Sequence, residues 1–307
     1  MKKQTYTILT ILLFFSINTF AQSAGNIVTK HLKALRKGES SILKKSTLEP
    51  CYTDATVLNT LEAFYKDKKV KVQDEALRLT GLIGSRHQDP EQRQKAVFLL
   101  MSEVKTAVST RREKLAKGLQ KFKVEDFGAE SKVLLNSVLR AGGTHIGEFF
   151  KIGGFLKEKI ILQSLVEEYK KKEELKQQLE IALIRSGDEK KKELLMSSLK
   201  EQVVNDDFIY GAVPALVYVR TKRTTDFLFD IILDDNKNCA PSGPDVGGKI
   251  LCAYRVMEAI APYIVDFPVQ VGASGDLDVE DYEEALKTVR TWIEVHRLDY
   301  VQKEDIY

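Results

Sequence analysis

The stretch Ile181–Leu199, IALIRSGDEKKKELLMSSL, decides the fold that the sequence predicts. Leu179, Ala182 and Leu183 recur three and four positions apart, as in an amphipathic helix, and a Gly-Asp pair then interrupts the pattern. Gly187 can adopt the left-handed conformation that ends a helix, and Asp188 can cap the helix that follows. We therefore predict a helix, a tight turn and a second helix stacked on the first.

The lysines around this turn form two clusters, Lys170–Lys172 and Lys190–Lys192. Glutamates such as Glu168, Glu174 and Glu193 alternate with them, so that opposite charges can pair three and four residues apart on exposed helix faces. We interpret both clusters as solvated helix faces rather than as an anion-binding patch.

Similar apolar stripes run through the rest of the chain and predict an all-α protein. One of them consists of Val72, Ala76, Leu79 and Ile83. Asp89-Pro90 predicts a helix start, because proline loses no hydrogen bond at the first helical position. Further helices are expected near 207–220 with a kink at Pro214, and near 225–233, 248–263 and 279–297. No segment alternates apolar and polar residues over a length that predicts a strand.

Glycines end three of the predicted helices, and their spacing suggests repeated helix pairs. Gly84, Gly142 and Gly187 lie 58 and 45 residues apart, whereas HEAT and armadillo units span roughly 40–47 residues. Within 173–235, the segments LEIALIRSGD and FIYGAVPALVYVR resemble two consecutive inner helices of a HEAT-like α-solenoid. The resemblance implies a right-handed α–α superhelix over residues 22–307, with a capping helix near 279–297. It also implies a concave face that binds a protein or peptide.

The first residues have the pattern of an export signal. Lys2 and Lys3 precede an uncharged, mostly apolar run from Tyr6 to Phe20, and the small residue Ala21 follows. The run is shorter than the roughly 20 residues that span a bilayer, so we predict a signal peptide over residues 1–21, cleaved after Ala21. Its FAQ ending resembles signal peptides common in Bacteroidetes. A periplasmic or secreted protein, without an integral membrane segment after cleavage, is therefore expected.

Charge and composition narrow the classes of partner. Loss of Lys2 and Lys3 would reduce the formal net charge from +3 to +1, and such a nearly neutral chain offers no electrostatic attraction for nucleic acid. Hydrophobic residues make up 43% of the chain, which is sufficient for a substantial core. We expect a folded protein that needs no cofactor.

The three cysteines fit an oxidising compartment. Cys239 and Cys252 bracket the loop CAPSGPDVGGKILC, and a disulfide between them would contribute about 3 kcal/mol in the chain-entropy model. Spacing alone leaves this pairing open, because a disulfide also requires suitable geometry. Cys51 would then be unpaired and is expected to be buried as a small apolar residue.

The predicted binding surface consists of the second helices of the pairs, with the 236–248 loop at one rim. Its candidate contact residues are Tyr210, Tyr218, Arg220 and Tyr254. A broad strip of this kind suits a protein or peptide ligand better than a small molecule.

Two acidic loops, 234–245 and 276–281, suggest an alternative function. Asp234, Asn236 and Asn238 alternate as in a calcium loop, and Asp245 occupies the position of its last ligand. However, Cys239 replaces the glycine that an EF-hand turn requires. The second loop offers Asp276, Asp278 and Glu280, whose simpler role is to favour the start of the last helix. The alternative is a calcium-dependent glycan-binding protein or an enzyme of the cell envelope.

The catalytic motifs in the chain lack the further residues that each type of chemistry requires. Gly243–Lys249 matches the core of a phosphate-binding loop, but Ile250 replaces the magnesium-binding Ser or Thr. Ser41 and Ser197 each begin an S-x-x-K sequence, but neither has an identifiable base beyond its own lysine. The histidines form no zinc motif such as H-E-x-x-H; they are His31, His87, His145 and His296. We therefore expect a protein that binds and has no catalytic centre.

Overall fold

The computed structural model describes residues 23–241, 248–272 and 276–307. The signal peptide predicted over 1–21 lies outside these ranges, as does Asp245 of the proposed calcium loop. Within the described ranges the protein is all-α, as predicted, and its β-structure is limited to isolated bridges. The chain divides into two compact units, Met1–Leu119 and Gln120–Tyr307, where the sequence interpretation treated 22–307 as one domain.

The first unit is built from short and medium-length helices around an aliphatic core. Its helices are α1 (Ala24–Lys37), α2 (Lys45–Leu48), α3 (Val57–Glu62), α4 (Val70–Gly84), α5 (Pro90–Val104) and α6 (Ser109–Leu119), with a 3₁₀ turn at Glu49–Tyr52. The predicted stripe of α4 is buried, since Val72, Ala76, Leu79 and Ile83 all have no exposed surface. Helix α4 packs on α1, α3, α5 and α6, so it forms the centre of this unit.

Local signals set the boundaries of α4 and α5. Helix α4 ends at Gly84, as predicted. Pro90 begins α5, and the side chain of Asp89 accepts a hydrogen bond from the N–H of Glu91 at 2.9 Å. A cap of this kind contributes about 1 kcal/mol by satisfying a backbone donor that has no partner within the helix.

The second unit contains the remaining helices. They are α7 (Ala129–Ala141), α8 (Ile146–Phe155), α9 (Lys159–Ser164), α10 (Val166–Tyr169), α11 (Glu173–Arg185), α12 (Glu189–Leu199), α13 (Asp206–Gly211), α14 (Val213–Val219), α15 (Lys222–Leu233), α16 (Ala253–Ile260) and α17 (Tyr282–His296). Two 3₁₀ turns lie at Val124–Asp126 and Ala261–Tyr263.

Within this unit, α8 packs against α11, α11 packs against α14, and α14 packs against α16. The contact between α8 and α11 depends on Gly154. A Cβ at this position would lie 2.5 Å from the carbonyl oxygen of Ala182 and 2.5 Å from the hydroxyl of Tyr218. The absence of a side chain at Gly154 therefore lets the backbones of α8 and α11 approach closely.

The turn between α11 and α12 forms as the sequence predicts. Gly187 has a φ of 95°, which lies in the left-handed region that glycine adopts without strain. The side chain of Asp188 accepts a hydrogen bond from the N–H of Lys191 at 3.1 Å and caps α12.

Near Pro214, the structure has two separate helices instead of the single kinked helix predicted over 207–220. The segment forms two helices, α13 and α14, which meet at Ala212. Pro214 lies in the first turn of α14, where its missing N–H is tolerated.

Cys239 and Cys252 lie at disulfide distance, with their sulfur atoms 2.05 Å apart. Next to this pair, the N–H of Ile250 donates to the carbonyl of Cys239 at 2.8 Å and closes the base of the loop. Cys51 is a buried free cysteine. Burial, and to a smaller extent Asp54, raises the pKa of its thiol to about 11, which makes it unreactive at neutral pH.

The final segment, residues 300–307, follows α17 and contacts parts of the second unit that are distant from it in sequence. Tyr300 packs against Phe229 of α15, with ring centroids 4.9 Å apart. The N–H of Val265 donates to the carbonyl of Val301 at 2.9 Å, and the N–H of Lys303 donates to the carbonyl of Tyr263 at 2.9 Å. The final segment thus joins several elements of the second unit.

Candidate functional site

An open groove of about 830 Å³ lies between α11, α12 and α13 of the second unit. We call it the apolar groove. Its apolar lining residues are Ile181, Ile184, Leu194, Leu195, Val203 and Phe208. Ile184 and Phe208 are buried in the floor, whereas Leu194 and Val203 remain 64% and 68% exposed. Two large apolar side chains are thus exposed beside an apolar floor, an arrangement typical of interaction sites.

Several polar residues at the rim of the apolar groove have partners within the second unit. Lys191 Nζ lies 2.9 Å from Glu180 Oε1, and the side chain of Asn205 accepts a hydrogen bond from the N–H of Phe208 at 3.0 Å, capping α13. Gly211 forms part of the wall, and a Cβ built there would have no atom within 4 Å. The groove therefore has an apolar base, a polar edge and free space above Gly211.

Beneath the groove floor, Arg185 and Arg220 lie in an aromatic environment, which we call the arginine cluster. Ile181, Ile184 and Leu195 of the groove pack with Tyr218, Val219 and Tyr307 in one apolar cluster. The guanidinium of Arg185 lies 5.2 Å from the ring centre of Phe155 and 4.8 Å from that of Tyr218. Arg220 lies 4.1 Å from the ring centre of Tyr263. Cation–π contacts of this kind favour the charged form of a buried arginine.

Backbone carbonyls accept the hydrogen bonds of these arginines. Arg185 donates to the carbonyls of Tyr218 and Ile306, and Arg220 donates to those of Lys303 and Ile306. Within the ranges that the structure covers, neither arginine forms an ion pair with a carboxylate. Burial lowers the pKa of Arg185, and burial followed by repulsion from Arg185 lowers the pKa of Arg220 to about 10. The arginine cluster can therefore fix the final segment beneath the groove.

The structure separates the four predicted contact residues. Tyr210 is 70% exposed on α13, and Tyr254 is partly buried beside Tyr282. Tyr218 and Arg220 are buried, so they cannot form the exposed contact surface that the sequence analysis predicted. The hydroxyl of Tyr218 instead donates to the carbonyl of Lys151. The aromatic character of this segment serves packing inside the unit, because α14 lies between two neighbouring helices.

Tyr254 lies in a second, smaller hollow of about 340 Å³. Glu258 and Tyr282 also line it, and the hydroxyl of Tyr282 donates to Glu258 Oε1 at 2.7 Å. This hydrogen bond is the largest cause that raises the pKa of Tyr282, followed by burial. Arg255 also lines the hollow and lies 3.7 Å from Glu258 Oε2, so Glu258 interacts with both Tyr282 and Arg255.

The proposed calcium ligands have other partners where they are described. Asp234 accepts hydrogen bonds from the N–H of Asn236 at 3.1 Å and from the side-chain amide of Asn236 at 2.7 Å. The carbonyl of Asn238 accepts from Lys249 at 3.2 Å. In residues 23–241, 248–272 and 276–307, no three His, Cys, Asp or Glu side chains are grouped as metal ligands.

In the second acidic loop, Asp276, Asp278 and Glu280 are exposed. The residue that caps the last helix is Asp281, which accepts hydrogen bonds from the N–H groups of Glu283 at 2.8 Å and Glu284 at 3.1 Å. The loop thus favours the start of α17, as predicted. The residue that does so is Asp281, rather than Asp276, Asp278 or Glu280.

Sequence reasoning missed the residues of the apolar groove. Leu194 lies among lysines and glutamates on α12, and Val203 lies in a polar link, so each is an apolar residue on an otherwise charged surface. This contrast is visible in the sequence. The periodic apolar residues of the buried helix faces form a stronger pattern, so the prediction favoured buried positions instead.

No protein-family model, curated protein or solved structure matches this chain. The helices that the structure describes are also too short or too polar for any one of them to cross a membrane.

Proposed function

We propose that the protein binds an apolar segment of a protein or peptide in the apolar groove. The observation that carries the proposal is the exposure of Leu194 and Val203 beside a floor formed by Ile184 and Phe208. Full burial of such side chains contributes about 1.5–3 kcal/mol each. A partner that covers both would therefore gain enough free energy for selective binding, while the polar rim limits nonspecific contact.

The architecture supports the same proposal. In a HEAT-like solenoid, successive helix pairs stack and expose a long binding face. The consecutive packing of α8, α11, α14 and α16 fits this scheme within the second unit. We extend the scheme to a right-handed superhelical stack, in which the apolar groove forms part of the binding face.

The proposal also includes export of the protein to an oxidising compartment. The cysteine pair at disulfide distance is compatible with an oxidising compartment such as the periplasm or the extracellular space. The basic start and apolar run of residues 1–21 have the order of a secretory signal. The partner would then be a protein or peptide of that compartment.

Selection of displayed peptides against the full chain tests the binding site. We expect selected peptides to share at least two large apolar side chains. Their affinity should fall at least tenfold on Leu194→Asp or Val203→Asp, since tenfold corresponds to only about 1.4 kcal/mol. Ile160→Asp is the control, because Ile160 is 87% exposed on α9 and lies outside the groove lining. Equal losses in all three variants, or no selected peptide, would refute the proposal.

Gly211→Leu provides an independent test that removes no contact. The new side chain enters the free space above Gly211, where a Cβ meets no atom within 4 Å. We expect an unchanged thermal midpoint together with loss of peptide binding, because the leucine occupies the volume that the ligand needs. Retention of full affinity in this variant would place the ligand elsewhere.

A further inference from the structure

The first unit contains a serine, a histidine and a glutamate joined by hydrogen bonds, which the proposed binding function does not use. Ser41 Oγ lies 2.8 Å from His31 Nδ1, and His31 Nε2 lies 2.8 Å from Glu75 Oε1. Along the sequence, Ser41 has no identifiable base beyond Lys44 of its S-x-x-K motif. The structure supplies one in His31, which lies ten positions earlier on α1, while Glu75 lies on α4.

Helix packing and a glycine turn bring these three residues together. Helices α1 and α4 pack against each other and place His31 opposite Glu75. Gly38, with a φ of 88°, ends α1, and the N–H of Glu39 returns to the carbonyl of Ala34 at 3.0 Å. This turn folds the following link back, so that Ser41 reaches His31.

Hydrogen bonding orients the histidine for proton transfer. Burial acts to raise the pKa of Glu75, but hydrogen bonds from Arg78 and His31 outweigh it and hold that pKa below its ordinary value. Glu75 is therefore ionised and accepts a hydrogen bond from Nε2–H of His31. Nδ1 then presents its lone pair to the hydroxyl of Ser41, which is the arrangement of a nucleophile, a base and a residue that positions the base.

Space for a substrate lies directly beside Ser41. A surface hollow of about 270 Å³ is lined by His31, Leu35, Ser40, Ser41, Lys71 and Glu75. In the part of the chain that the structure describes, the N–H groups of Ser40 and Ser41 donate to no protein acceptor. These two donors and the ammonium of Lys71 belong to residues that line the hollow, and groups of this kind stabilise negative charge on a carbonyl oxygen. Leu35 provides an apolar contact for a short acyl chain.

We infer that Ser41 is the nucleophile of an acyl hydrolase that acts on small carboxylic esters, with His31 as its base. Ser41 Oγ bonds to the acyl carbon while His31 Nδ1 takes the hydroxyl proton. The bond between the acyl carbon and the alkoxy oxygen then breaks, and the alcohol leaves with that proton. Water, deprotonated by His31, attacks the acyl–serine ester and releases the carboxylic acid with recovery of Ser41. Glu75 is a positioning residue. This activity is independent of the apolar groove.

A fluorophosphonate probe and p-nitrophenyl acetate test the inference on the full chain. We expect one probe adduct per chain, located at Ser41 by peptide mass spectrometry, and ester hydrolysis that falls at least 100-fold on Ser41→Ala. Ser46→Ala is the matched control, since this serine is exposed five positions after Ser41 and does not line the hollow. It should retain activity within about twofold. An adduct at another residue, no adduct, or equal activity of Ser41→Ala would overturn the inference.

The roles of His31 and Glu75 have separate readouts. His31→Asn should abolish labelling while circular dichroism shows that the helices persist. Glu75→Gln should retain labelling but lower kcat at least tenfold with little change in KM, because His31 loses the carboxylate that orients its ring. Glu75→Asp, which keeps a carboxylate, should recover part of the lost kcat. An unchanged kcat in Glu75→Gln, or full labelling of a folded His31→Asn, would contradict these roles.

Discussion

Two arginines, Arg78 in the first unit and Arg220 in the second, are held in opposite ways. In the first unit, Arg78 forms two hydrogen bonds to Glu75, at 2.7 and 2.8 Å, and this carboxylate raises the pKa of Arg78 despite partial burial. In the second unit, burial and then repulsion from Arg185 lower the pKa of Arg220 to about 10, while backbone carbonyls accept its hydrogen bonds and the ring of Tyr263 lies 4.1 Å away. Arg78 is half exposed, whereas Arg220 is buried, so the partner and the burial of each arginine together set the direction in which its pKa moves.

The two arrangements suit different uses. A charge paired with a carboxylate can orient a neighbouring group, as Glu75 orients His31. Arginines that donate to carbonyls instead fix a stretch of backbone, as Arg185 and Arg220 fix the final segment. Chemistry is accordingly proposed for the first unit and binding for the second.

The largest expected difference between the units concerns reduction of the disulfide. Cys239→Ser with Cys252→Ser should lower the free energy of unfolding of the second unit by about 3 kcal/mol, because the open loop gains entropy in the unfolded chain. The first unit holds only the free Cys51, so its transition should not move. Urea unfolding of the wild type with and without a reducing agent checks this. A loss below about 1 kcal/mol would contradict it.

The arginine cluster predicts the next largest effect. Tyr307→Ala removes ring contacts with Phe155 and Tyr218, whose ring centroids lie 5.7 and 5.6 Å away. Each ring contact contributes about 0.5–1.5 kcal/mol beyond burial, so we expect a loss of about 2 kcal/mol. Tyr210→Ala is the control, because this exposed ring should change stability by less than about 0.5 kcal/mol. Similar losses in the two variants would refute the role of the final segment.

Acid titration distinguishes the paired charges of the first unit. The pKa of Glu75 is below its ordinary value of 4.5, so unfolded Glu75 binds a proton at a higher pH than folded Glu75. Its contribution is complete above about pH 4.5 and is lost as pH falls through the folded pKa. Hydrogen bonds to charged groups contribute about 1.5–3 kcal/mol, so Glu75→Gln should destabilise by about that amount at pH 7.

Below the folded pKa of Glu75, the wild type and Glu75→Gln should become equally stable. Glu62→Gln is the matched control, since Glu62 is exposed on α3 of the same unit. Urea unfolding at several pH values measures the difference. A gap between wild type and Glu75→Gln that stays constant from pH 7 to pH 3 would show that the carboxylate charge is not the cause.

The smallest expected effect concerns backbone strain at Lys157, which has a φ of 60°. Lys157→Gly should relieve a left-handed conformation that costs roughly 1–2 kcal/mol in other residues. It also removes a hydrogen bond from Nζ to the carbonyl of Arg185 at 2.9 Å, so we expect a net gain of about 0.5 kcal/mol. Lys159→Gly is the control, because Lys159 makes a similar contact to Gly187 from inside α9 and should be destabilised. Thermal unfolding measures the stability of both variants. A destabilisation of Lys157→Gly as large as that of Lys159→Gly would contradict the expected relief of strain.

The sequence predicted those parts of the fold that depend on neighbours along the chain. Gly187 with Asp188 and Asp89 with Pro90 were correctly assigned to helix ends, because capping involves residues only two or three positions apart. Pro214 was correctly expected to disturb its helix, since its ring acts within one turn. The all-α class follows from the same local patterns.

The candidate sites depend on residues that are distant in sequence, and they were missed for that reason. His31 and Glu75 lie 44 positions apart, so no short motif contains them. Tyr218 was assigned to an exposed face because periodicity gives the direction of a side chain within a helix but not the helix that covers it. The partners of the final segment, Thr225 and Arg220, likewise lie far from it in sequence.

Gly154 has a consequence for how this chain can change during evolution. A methyl group there would overlap the carbonyl of Ala182 and the hydroxyl of Tyr218, so even alanine would force two helices apart. Gly211, with open space around it, carries no such restriction. Descendants of this sequence should therefore keep glycine at position 154, whereas packing places no such requirement on position 211.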